Sequence, residues 1–139
     1  MNLAPIIAAI DAGCPLFKAV GGAAEFDAEA DGVKTTPACF VIPLSESADQ
    51  NLMLNGNLQR IDVDFGVCIV VKHARNASGM LADLETLRTS VRTALAGKTL
   101  TTETASQPIR FTGGQLLNFQ PGLMWWQDGF KTAHHIQST

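Results

Sequence analysis

The chain has 139 residues, 46% of them hydrophobic and 17% charged, with a net charge of −3. That length and apolarity describe a single folded domain over 1–139 and exclude a disordered chain. The scattered basic residues and acidic balance exclude a sequence-independent grip on nucleic acid, and the low charge hints that some surface is buried against a partner.

Residues 3–13 space Leu3, Ile6, Ile7 and Ile10 along one helical face. Pro5 falls in the first turn, where its missing N–H costs nothing, and Gly13 and Pro15 end the helix. Residues 17–31 suit a short helix ending near Gly32, weakened by Gly21 and Gly22. Glu25, Asp27, Glu29 and Asp31 alternate there and read as a solvated face rather than a metal site. Residues 38–43 form a compact apolar strand between Pro37 and Pro43. Residues 44–58 are polar with an Asn55-Gly56 turn signal, which makes them an exposed arm or long loop. Leu52, Met53 and Leu54 are unusual in such a loop, and an apolar tip points to a partner that touches it.

Residues 59–73 give the strongest strand signal. Ile61, Val63, Phe65, Val67, Ile69 and Val71 alternate with Arg60, Asp62, Asp64 and Gly66, then with Cys68 and Val70. One half has a wet face and the other is apolar on both sides. After a turn at 76–79, with Ser78 as capping candidate, Leu81, Leu84, Leu87, Val91 and Leu95 step by three and four. Asp83 and Glu85 are expected in the first turn of this helix, and Gly97 at its end. Residues 98–109 read as a Thr-rich loop. The remainder reads as strands: 109–112, a break at Gly113-Gly114, 115–119, a Pro121-Gly122 turn and a strand over 123–136. Trp125 and Trp126, adjacent on that strand, point to opposite faces, so each needs its own cover. The sum is an α+β fold: a largely antiparallel sheet with helices packed on one face, a two-layer sandwich.

The residues carry no catalytic signature. Cys14, Cys39 and Cys68 are odd in number and widely spaced without CxxC, which fits reduced, buried thiols made in a cytosol. His134 and His135 face opposite sides of a strand, so they do not chelate one metal, and near the chain end they are expected to be exposed. A Cys68–His73 dyad fails because the two point to opposite faces. Gly21-Gly22 and Gly113-Gly114 lack the spacing of a phosphate loop. Asp62 and Asp64 share a face as a carboxylate pair, with no third group nearby. The reading is no enzyme, no cofactor and no metal. No apolar run reaches the ~18–20 residues of a membrane span, and the first ten residues lack the basic start of a signal peptide.

Five blocks carry a resemblance: TTPACFVIPL at 35–44, QRIDVDFGVCIVV at 59–71, DLETLR at 83–88, FTGGQL at 111–116 and WWQDGFKT at 125–132. In this order they resemble the tail terminator proteins of long-tailed bacteriophages. The resemblance implies a virion protein of the tail, made in the host cytoplasm, that forms a homo-oligomeric ring, commonly a hexamer. One ring face docks on the tail-tube protein and stops polymerisation; the other meets the head–tail connector or neck. DNA passes through the lumen without specific binding. Candidate subunit or tube contacts are then Leu52, Met53, Leu54, Trp125, Trp126 and Phe130, with Asp62 and Asp64 facing the lumen. The alternatives are another neck or tail-tube subunit, or a small ligand-binding protein or enzyme, which would need a pocket with converging polar groups.

Overall fold

The computed structural model describes residues 1–28, 35–72, 77–120 and 123–138. Three helices and five strands follow in the order α1 (Ala4–Gly13), β1 (Ala19–Gly21), α2 (Ala23–Ala28), β2 (Ala38–Ala48), β3 (Asn57–Lys72), α3 (Ala77–Leu95), β4 (Arg110–Gln120) and β5 (Leu123–Ser138). The architecture is α+β with one mixed sheet ordered β1-β2-β3-β5-β4. The β1·β2 pairing is parallel and the other three are antiparallel.

α1 starts where expected, with Pro in its first turn and the Ala4 N–H donating to Asn2 Oδ1 at 3.0 Å. The stretch after it departs from expectation. Instead of one helix from residue 17, Ala19–Gly21 pairs with Ala38–Phe40 as a three-residue strand, and the helix is confined to Ala23–Ala28. Small residues make that strand possible: a Cβ on Gly21 would sit 2.8 Å from the Glu25 side chain, which folds back so that its carboxylate accepts the Gly22 N–H at 2.9 Å. That hydrogen bond holds the Glu25 carboxyl below its ordinary value. The acids at 29 and 31 lie outside the described residues.

β2 runs five residues past Pro43. Proline has no ladder donor, and the β2·β3 register shifts between Pro43 and Ser45, so the strand absorbs it as a bulge. β3 is the long central strand, paired along its length with β5. α3 begins one turn earlier than the apolar stripe suggested. Asp83 and Glu85 are therefore not in the first turn, which holds no acid. Gly97 follows the helix with φ +78, the left-handed conformation a helix terminus favours in glycine. Gly113-Gly114 does not break its strand: β4 is continuous, with register shifts at Phe111/Gly113 and Leu116/Asn118. The predicted Pro121-Gly122 turn and His73 lie outside the described residues.

The main core joins Ile6 and Ile10 of α1 and Leu84, Leu87, Val91 and Leu95 of α3 to alternate residues of the sheet, among them Val41, Phe65, Val67, Ile69, Met124 and Phe130. A smaller cluster gathers Ala38, Phe40, Cys68, Val70 and Trp125, which have the opposite strand parity. At about 25 cal/mol per Å² of buried apolar area, each fully buried side chain of this size contributes roughly 1.5–3 kcal/mol.

Candidate functional site

Three of the five quoted blocks meet at one point. Asp128 on β5 is fully buried, 0% exposed. A buried carboxylate is costly unless paired and hydrogen-bonded. Arg88 of α3 supplies the pairing: its Nε lies 3.0 and 3.1 Å from the two Asp128 oxygens and a terminal nitrogen 2.9 Å from Oδ1. The Trp126 indole N–H, two residues along the same strand face, donates to Oδ1 at 2.9 Å. The Arg88 guanidinium also lies over the Trp126 ring, 4.7 Å from its centroid, and its remaining arm reaches Glu85 at 2.7 Å. The hydrogen bonds that Arg88 donates to Asp128 raise the guanidinium pKa above its ordinary value; burial opposes this and Glu85 adds to it.

The Gly-Gly pair of β4 belongs to the same constellation. A Cβ on Gly114 would overlap Asp128 Oδ1 and sit 2.7 Å from Trp126 Nε1, so β4 crosses the carboxylate only as bare backbone. Further along β4, Phe111 tilts against Phe130 at 5.6 Å and is capped by Arg92 of α3 at 5.3 Å. The arrangement fastens α3 to β5 through charge-assisted bonds and to β4 through the Arg92–Phe111 contact. Its groups are a cation, a buried carboxylate and an indole donor bonded to one another, which braces the fold.

The two indoles do face opposite sides, and the chain itself covers both. Trp126 lies half-buried under α3. Trp125 is 9% exposed, packed with Phe40, Cys68 and Val70 on the other face. Phe130 is 0% exposed and stacks on Phe65 at 5.6 Å, so its ring is spent inside the chain.

The arm is a hairpin continuing β2 and β3. Asn51 ties its tip: Oδ1 accepts the N–H groups of Met53 and Leu58 at 3.1 and 2.8 Å, and Nδ2 donates to the Gly56 carbonyl at 3.0 Å. Leu52 and Leu54 on this ordered tip are 71% and 101% exposed, whereas Met53 is half-buried. Asp62 and Asp64 lie on one face of β3, that of Cys68 and Val70. Asp62 accepts from Arg60 Nε at 3.3 Å and Asp64 from the Ser45 hydroxyl at 3.0 Å. Asp64 borders a broad open depression with Leu44, Ser45, Gln127 and Gly129. Among the described residues, no three His, Cys, Asp or Glu side chains converge as a metal site.

His134 departs from expectation by being buried. The loop before β4 pairs with the end of β5, the Gln107 N–H donating to Ala133 and the His135 N–H to Thr104, each at 2.8 Å, and so covers it. Glu103 on that loop also accepts the Asn2 N–H at 3.0 Å. All three cysteines are buried and unpaired. Burial pushes the Cys68 thiol up to about 11 and Cys39 well above its ordinary value.

The family model for the phage tail terminator protein matches residues 1–139, the whole chain. The chain belongs to the phage tail terminator family. It is accordingly a structural protein of the bacteriophage virion, located in the tail. No curated protein matches it in sequence. Its fold is similar to that of a chain in a solved structure described as "Virion of native gene transfer agent (GTA) particle", with a TM-score of 0.54 and 12% identity, over 97% of this chain and 86% of that one. At that identity the likeness concerns the fold.

Proposed function

We propose that this chain closes the phage tail tube as a homo-oligomeric ring, a hexamer, stopping tube polymerisation and presenting the surface on which the head or neck docks. The observation that carries the reading is the family match over the full chain. The output is geometric: the ring fits the tube on one face and offers no continuation on the other, with no catalysis and no cofactor. The subunit works as one two-layer domain, α1 and α3 packed on one sheet face, held rigid by Arg88 and Asp128. Rigidity suits a cap, because a preformed surface pays less ordering entropy when it docks.

The contact surface centres on Leu52, Met53 and Leu54 of the arm, of which Leu52 and Leu54 stand exposed on their own chain. Trp125, Trp126 and Phe130, covered within their own chain, keep the sheet in shape rather than meet the neighbour. Asp62 and Asp64 face the lumen, where negative charge lets DNA slide without the phosphate contacts that would hold it. The partners are further copies, the tail-tube protein and the connector or neck.

Electron microscopy of purified tail tubes mixed with the protein tests the reading, with mass measurement of the free protein alongside. The expected result is a ring at tube ends and tubes that cease to grow. Filaments of the protein alone would make it a tube subunit, and tubes that lengthen unchanged in its presence would overturn the proposal.

A further inference from the structure

The two sides of the sheet carry different surfaces. On one side, the chain from Pro43 to Asn55 is exposed at every residue except Met53. It carries Asp49 and also Glu46, which accepts from the N-terminal ammonium at 3.2 Å, and no basic side chain lies between positions 45 and 59. Its tip is apolar, with Leu52 and Leu54 standing out from an ordered turn. On the other side, β4 is the last strand of the sheet. Leu116 and Leu117 are exposed along it, and Phe111, five residues earlier and beneath Arg92, is partly exposed. Arg110 is the sole charged residue of β4 and is exposed, and Arg92 lies over Phe111. β4 therefore presents apolar groups beside Arg110 and Arg92, and the arm presents apolar groups with Asp49 on their flank.

Resting on the ring reading above, we propose that the arm of one copy, residues 46–54, docks against the β4 edge of the next copy, Leu52 and Leu54 covering Phe111, Leu116 and Leu117 while Asp49 approaches Arg110. Two unlike patches on one subunit that fit each other make a heterologous contact, the kind that closes into a ring when the rotation allows. A patch that matched itself would give a two-fold dimer instead. Unprotected edge strands invite pairing, and natural sheets blunt them. β2 beyond the three residues that β1 covers, and the β4 edge, are both blunted for backbone pairing: β2 has Pro43 and a register shift, and β4 has two shifts with Gly113 at φ +128. The contact is therefore one of side chains rather than a sheet running on from copy to copy. Charge sets the register, and the apolar residues supply the affinity.

Two single variants, Leu54→Cys and Leu116→Cys, are purified separately, mixed, assembled on purified tail tubes and oxidised. Each change is on an exposed side chain, and the three native thiols are buried, so a link in the mixture joins arm to edge across two copies. The expected result is a disulfide-linked dimer in the mixture and little in either variant alone. A cap that forms on the tubes without that link overturns the arm-to-edge contact and leaves the ring reading standing. Failure of wild-type protein to form any ring on tubes overturns both. A charge exchange gives an independent readout: Asp49→Arg and Arg110→Glu each weaken assembly at least about tenfold, and the combined variant recovers it. A combined variant as defective as the single ones would also overturn the contact.

Discussion

Asp128→Asn tests the constellation that joins α3 to the β4 edge. The substitution preserves shape and leaves the indole an acceptor, but it strands a guanidinium that now bonds both carboxylate oxygens. Breaking a buried pair costs about 3–5 kcal/mol. Arg88 keeps Glu85 at 2.7 Å and retains 13% exposure, so part of that loss is recovered and about 2–3 kcal/mol is expected. For a chain of this size that is a fall in melting temperature of about 8–12 °C. Arg88→Met is worse, about 3–5 kcal/mol, because the carboxylate left behind is fully buried. The double variant costs less than the sum by about 1–3 kcal/mol, since neither uncompensated charge is then present. Urea unfolding followed by tryptophan fluorescence reads all four states, with Trp126 as reporter, at concentrations where the protein is a monomer. An Asp128→Asn protein within about 0.5 kcal/mol of wild type, or single effects that simply add, would show that the pair does not hold the fold together.

Gly114→Ala places a methyl against Asp128 Oδ1 and Trp126 Nε1, and should destabilise by about 1–3 kcal/mol with a shifted indole emission. Gly129→Ala, whose Cβ would meet the Thr112 hydroxyl at 2.7 Å, should cost less, because that side chain rotates away more easily than a strand moves. At high pH the buried thiols matter: the folded Cys68 pKa is raised, so its contribution is complete below pH 9.0 and is lost as the pH rises to about 11. Unfolding midpoints across that window should fall, and Cys68→Ala should flatten the decline; an equally steep decline in that variant would assign it elsewhere. Leu52→Ser with Leu54→Ser should leave monomer stability within about 0.5 kcal/mol, both being exposed, yet abolish capping of tail tubes in micrographs.

The long elements were legible because their periods are long. Sixteen residues of β3 and the stripe from Leu84 to Leu95 leave no competing pattern. The three-residue β1 was not legible, because a strand that short exists only through its partner. The run of β2 past Pro43 and the continuity of β4 through two glycines were hidden for a related reason. Local preference argued for a stop, and the neighbouring strand accommodated both as irregularities in register. The candidate site was legible in its parts only. Met124, Trp126, Asp128 and Phe130 share one strand face, so an acid between two core aromatics had to be paired. Arg88 follows Leu87 of the apolar stripe on α3, a cation at the margin of the buried helix face. What no spacing supplies is which cation reaches which acid across forty positions of chain.

The same geometry links stability to assembly. Gly114 approaches Asp128, Trp126 lies beneath α3, and Arg92 caps Phe111, so the edge strand that would receive a neighbour is braced from behind by α3. A braced edge has little freedom left to lose on docking, and the ordered Asn51 turn gives the arm the same advantage. Lesions in the constellation should therefore weaken the fold and the cap together, while lesions in the arm weaken the cap alone. A variant at Asp128 that loses stability yet caps tubes with full affinity would mean that β4 is held in place without this brace, and that assembly does not depend on it.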